Sequence, residues 1–174
     1  PTVCILLVRR MEQNGLILNG RKAWGAVWPL IPAVALALLV FWNDYKDANN
    51  NRDDAFWLVK NYGSRSHTLW FTGHWGFQYY MEGLGARPFI VNESPVKNAD
   101  ILIVPKYNVL DKNFAVPADY IEWKDVIERP APPWLAVMNS SLGAGFYSEY
   151  WGPLPFAFGK VPPNHYTVIK LKIP

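Results

Sequence analysis

The residues best able to do chemistry fall in two stretches. One is Gly73 to Pro88, GHWGFQYYMEGLGARP; the other is the aromatic, Gly- and Pro-rich run Asn139 to Asn164, NSSLGAGFYSEYWGPLPFAFGKVPPN. The first follows a predicted strand and opens a predicted helix. In open α/β sheets ligands sit beyond the carboxyl ends of strands, and a helix N-terminus favours anions. Aromatic rings stack on the apolar faces of sugars, and a histidine bonds a hydroxyl or a phosphate. His74, Trp75 and Tyr79, with Tyr147 from the second stretch, are therefore candidate contacts for a sugar or an anionic ligand. Packing explains the same residues: Trp75, Phe77, Tyr79 and Tyr80 suit a sheet or bilayer contact, with His74 as a cap. Tyr147, Glu149, Tyr150 and Trp151 suit sugar contact or a seat at a membrane interface.

Other chemistries find less support. The chain lacks G-x-x-x-x-G-K-[ST] and G-x-S-x-G, and Gly143-Ala144-Gly145 lacks the next glycine of a dinucleotide loop, so no cofactor is expected. His67, His74 and His165 are not spaced as a helical metal pair, and the single Cys4 excludes an internal disulfide and a cysteine-rich zinc site, so the sequence names no metal ligand and only folding could assemble the histidines. Glu82 lies a helical turn beyond Gln78 and reads as cleft or solvated helix face. The pairs Asp53/Asp54 and Asp119/Glu122 have no sequence-visible surroundings that would split their pKa values, and they read as surface groups. Asn92-Glu93-Ser94 and Asn139-Ser140-Ser141 match the N-glycosylation pattern, relevant only on a eukaryotic secretory route.

The elements that must position these residues begin with an apolar run. Ala23 to Trp42, AWGAVWPLIPAVALALLVFW, carries no charge, amide or hydroxyl, and at ~1.5 Å per residue it covers ~30 Å, the thickness of a bilayer core. It reads as a transmembrane helix bent near Pro29 and Pro32, with Trp24, Trp28, Phe41 and Trp42 at its ends. Thr2 to Val8 resembles the close of a preceding membrane helix in a piece of a longer chain; a cleaved signal peptide fits poorly. Residues 1–22 carry Arg9, Arg10, Arg21 and Lys22 against Glu12, which accounts for the whole net charge of +3. The positive-inside rule makes that loop cytoplasmic and places the chain beyond Trp42 on the outer side. The neutral remainder offers no basic face for nucleic acid.

Asp44 to Asp54 reads as a linker leading into a helix at Ala55 to Tyr62, which Gly63 would stop. Thr68–Thr72, Pro88–Val91 and Ala99–Val104 read as strands around a helix Trp75–Leu84 ended by Gly85, a parallel arrangement. Ile121–Glu128, Trp134–Met138 and Tyr166–Lys172 alternate and predict an antiparallel extension of that sheet. The expected layout is a cytoplasmic segment at 1–22, a membrane helix at 23–42, linker and helix at 43–65, and an α/β domain with a mixed sheet at 66–174. Asn139–Asn164 is expected to hold little regular structure.

The phrases TLWFTGHWGFQYYMEGLGARP, ADILIVP and GAGFYSEYWGPLPFAFGKVPPNHYTVIKL resemble the C-terminal extracytoplasmic region of bacterial GT-C membrane glycosyltransferases, the branch of dolichyl-phosphate-mannose protein mannosyltransferases and aminoarabinose transferases. The resemblance covers residues 65 to 172 in wording and the whole chain in layout. It implies a multi-pass protein of the bacterial inner membrane that moves a sugar from a polyprenyl-phosphate donor to an acceptor on the outer side, with this domain periplasmic or extracellular. It also implies that the acidic residue acting as general base lies in a first external loop, and the donor site among membrane helices, nearer the N-terminus, so no position here inherits a catalytic role. Membrane lipid and, through that N-terminal region, the polyprenyl-phosphate sugar are the implied partners. The alternative is a membrane-anchored glycan-binding or structural module without enzymatic activity.

Overall fold

The computed structural model describes residues 30–65, 67–106 and 115–173, with 6, 9, 10 and 12–14 before them. All but Leu6 of the expected membrane segment at Thr2–Val8, most of the basic loop and the start of the apolar run at Ala23–Pro29 lie outside these residues. Two compact units divide the chain, Pro1–Trp42 and Asn43–Pro174.

Helix α1 runs Leu30–Tyr62 without a break. In the first unit its side chains are apolar and exposed, Leu30, Ile31, Val34, Leu38 and Phe41 each more than half so. This described apolar part covers about 20 Å. Among the described residues no helix is long and apolar enough to cross a membrane. The stretch expected as a linker, Asp44–Asp54, is helical throughout. Its asparagines and aspartates are poor helix formers alone, but the segment continues into Ala55, Leu58 and Tyr62, whose spacing buries one stripe in the core.

The second unit is α/β. Its five-stranded mixed sheet has the order β2-β1-β3-β9-β4, comprising β1 (Leu69–Phe71), β2 (Arg87–Pro88), β3 (Ile101–Pro105), β4 (Ile121–Arg129) and β9 (Asn164–Leu171). β1 pairs parallel with β2 and β3, with Trp70 opposite Leu102; β9 pairs antiparallel with β3 and β4, with Leu102 opposite Ile169 and Val126 opposite Thr167. Central β3 is apolar and buried on both faces, whereas β4 ends the sheet with charged residues that discourage pairing with another chain. Helix α2 (Trp75–Gly83) follows β1 and ends at Leu84 and Gly85, where φ is +89°. Phe77 and Met81, one turn apart, join Ala55, Leu58, Phe71, Ile103, Tyr166 and Val168 on one face of the sheet. Trp70, Leu102, Ile169 and Leu171 form the core of the other face.

Two strand expectations need correction. The strand expected at Pro88–Val91 is only Arg87–Pro88, because the chain turns at Ile90: its N–H donates to Ser94 Oγ at 2.8 Å, its carbonyl accepts from Ser94 N at 3.0 Å, and Asn92 takes φ +65°. Trp134–Met138 does not extend the main sheet. It splits into β5 (Leu135–Ala136) and β6 (Met138–Asn139), which pair with β8 (Ala157–Phe158) and β7 (Ala144–Gly145) in two small separate sheets. The run from Asn139 to Asn164, expected to be largely irregular, thus carries β7, a 3-10 turn at Glu149–Trp151 and β8. Asn139 is buried and its Oδ1 accepts from Ser141 N and Leu142 N, so its amide is turned to folding.

This loop closes on itself through backbone. Gly145 N donates to Leu154 O at 2.7 Å and Leu154 N to Gly143 O at 3.1 Å. Gly152 has φ +152°, and a Cβ there would overlap the backbone of Gly143. Gly152→Ala is expected to lower stability by about 2 kcal/mol or more, since both strain and overlap oppose the side chain; thermal unfolding followed by near-UV circular dichroism checks it.

Candidate functional site

The helical register of the supposed linker builds the site. Asp44, Asp47, Asn51 and Asp54 recur at intervals of three and four, and Asn43 stands four before Asp47, so they form a polar stripe on α1. The stripe faces the start of α2, the aromatic loop and the first residues of β9. Between them lies a cavity of about 410 Å³, lined by Asn43, Asp44, Asp47 and Asn51, by Trp75 and Phe77, by Tyr147 and Trp151, and by Asn164, His165 and Tyr166, with Leu135 to Asn139 closing one side.

At one edge Tyr147 Oη donates to Asp44 Oδ2 at 2.6 Å, tying loop to helix. That bond to a carboxylate, then burial and the Asp44 charge, pushes the Tyr147 phenol up to about 12. Asp47 is half-buried, and burial, followed by the charges of Asp44 and Asp54, raises its carboxyl from 3.8 to about 6. A carboxyl that is harder to ionise in the folded chain than in the unfolded one favours folding less as pH rises through that window. Asp47→Asn is accordingly expected to match the parent at pH 3.5 and exceed it in stability at pH 7.5. The expected gain is about 1–2 kcal/mol after allowing for solvent screening, measured by urea unfolding at the two pH values.

Deeper, Asp54 is 2% exposed and holds three donors: Arg129 Nε at 2.8 Å, Tyr166 Oη at 2.9 Å and Asn164 Nδ2 at 3.5 Å. Arg129 also lies over the Trp57 ring at 5.0 Å. Burial, then the Asp54 charge, puts the Tyr166 phenol well above its ordinary range. The network joins α1, β4 and β9 beneath the cavity and fixes the stripe above it.

Trp75 has φ +55°, uncommon for a bulky residue at the head of a helix. Its ring lies 6.1 Å from that of Trp151, and both line the cavity. Of the four residues singled out by sequence, Trp75 and Tyr147 meet here. His74 precedes α2, makes no side-chain capping bond to the helix and packs its ring edge-on to Trp75, outside the lining. Tyr79 is 74% exposed and packs on Tyr80 at 5.3 Å, also outside it. Glu82 bonds Gln78 on the exposed face of α2. Among the described residues no group of three His, Cys, Asp or Glu is placed to hold a metal ion.

Asp44, Asp47 and Asn51 escape a reading that treats their segment as a linker. The signal that finds them is their helical spacing once α1 is continued through Asn43. Carboxylate and amide groups beside two indole rings and a phenol can accept hydrogen bonds from hydroxyls while an apolar face rests on an aromatic wall. Comparison with family models, curated proteins and solved structures yields no match.

Proposed function

We propose that the chain is the C-terminal part of a bacterial membrane glycosyltransferase that uses a polyprenyl-phosphate sugar donor, and that residues 43–174 form its extracytoplasmic sugar-contacting domain. The observation that carries this reading is the cavity in which Trp75, Trp151 and Tyr147 stand beside Asp44, Asp47 and Asn51. Aromatic walls with planar acceptors and amides suit a pyranose ring, which offers apolar C–H faces and a rim of hydroxyls. The resemblance of residues 65 to 172 to the GT-C tail supplies the enzyme class, and the exposed apolar end of α1 suits burial in lipid. The transfer chemistry belongs to the membrane helices and loops of that class; this domain contributes contact with donor or acceptor sugar.

Saturation-transfer NMR on the whole chain in detergent micelles, against a panel of neutral methyl glycosides, tests the reading. At least one glycoside is expected to bind in the millimolar range, and Trp75→Ala is expected to weaken it about 5- to 10-fold through the lost ring face. Failure of every glycoside to receive saturation from a folded chain overturns it.

A further inference from the structure

Charge in the cavity wall goes further than the kind of ligand. Asp44 and Asp47 both line it, and among the described residues no lysine or arginine does. The nearest cation described in the supporting network, Arg129, is already held by Asp54 at 2.8 Å. His165, in the wall, has its Nδ1 3.7 Å from Glu128 Oε1. One feature opposes the carboxylates: Trp75 and Gly76, at the start of α2, also line the cavity, and a helix N-terminus carries roughly half a positive charge. Half a unit, on a helix of nine residues, is less than two carboxylates. The site that sequence reading offers to an anion is therefore negative on balance.

Resting on the sugar-binding reading above, we propose that Asp44 and Asp47 make this cavity selective by charge: it takes an uncharged, hydroxyl-bearing sugar ring and rejects the uronic acid or phosphorylated form of the same ring. The two carboxylates do this in one arrangement. Each accepts hydrogen bonds from ring hydroxyls, which act as donors, and each repels a carboxylate or phosphate on the same ring, which has no proton to give. Tyr147 holds one Asp44 oxygen and leaves the other for a ligand. A phosphate-bearing carrier would then keep its phosphate outside the cavity, with only the sugar inside.

Matched pairs of methyl glycosides and their uronates, in the gluco, galacto and manno series, together with the 6-phosphates, give the test. Each is titrated into the whole chain in zwitterionic micelles at pH 7.5, with binding read by saturation-transfer NMR. In at least one series the neutral ring is expected to bind about tenfold or more tightly than its uronate and its 6-phosphate. Asp47→Asn is expected to weaken the neutral ring a few-fold while tightening the uronate, so that the ratio falls to about threefold or less. Asp44→Asn, which keeps an oxygen for Tyr147, should narrow it in the same direction. Equal or tighter binding of the anionic members overturns the charge selectivity and leaves sugar binding standing. A neutral preference unmoved by both substitutions also overturns it, since the discrimination then has another source. Absence of binding by every member overturns the sugar-site reading itself.

Discussion

Asp100→Ala is expected to cost about 3–5 kcal/mol. Asp100 is fully buried just before β3. Its Oδ1 accepts from Thr68 N at 3.0 Å, and its Oδ2 accepts from Trp70 Nε1 at 2.8 Å and Lys97 N at 2.9 Å. Its own carbonyl accepts from Leu171 N at 2.8 Å, so one residue joins β1, β3 and β9. Alanine would strand three donors, and each unmade bond to a buried group costs about 1–3 kcal/mol. Against a net stability of about 5–15 kcal/mol that is a large fraction. Asn is a sharper probe, because its amide turns a donor toward groups that are themselves donors; Asp100→Asn should recover less than half of the loss. Urea unfolding followed by tryptophan emission measures both, and a loss below about 1 kcal/mol for alanine would show that the donors find other partners.

Asp54→Ala comes next, at about 3–4 kcal/mol, through a different term. Here the bound donors include a cation, and removing the carboxylate leaves Arg129 partly buried without its counter-charge. Tyr166 Oη, in the core against Phe77 at 5.5 Å between ring centroids, loses its acceptor as well. The double variant Asp54→Ala/Arg129→Met is expected to regain a substantial part of the loss, since no unpaired charge then remains. A double variant no more stable than Asp54→Ala alone would show that the network acts through its neutral bonds instead. Asp54 ends the stripe, just beyond the residues that line the cavity, so sugar binding should weaken along with stability.

The sheet was legible where side-chain pattern and position agree. TLWFT and ADILIV predict β1 and β3 because buried strands need continuous apolar residues, and Gly85 marks the end of α2 because its φ is positive. Arg87–Pro88 was harder: PFIV has strand composition, but the bond that Ile90 N donates to Ser94 Oγ and the backbone of Asn92 turn it, and those are contacts several residues away. The linker reading failed for a related reason. Asparagine and aspartate favour loops when isolated, yet here each end of the polar run is joined to apolar helix, and the carboxylate of Asp54 is secured by residues 75 and 112 positions away. Trp75 and Tyr147 were legible as aromatic residues in unusual loops. Asp44 and Asp47 were not, because what makes them a pair facing a cavity is the register of α1.

The contact between Gly143 and Gly152 makes the intervening segment a clasp of fixed circumference. Within it, Phe146 is more than half exposed, so its identity matters less than the number of positions from one glycine to the other. Tyr147 meets Asp44 and Trp151 meets Trp75 only at that count. Divergence among chains built this way would therefore exchange letters inside the clasp while leaving its length untouched, and a gap placed there in an alignment would mark a different cavity.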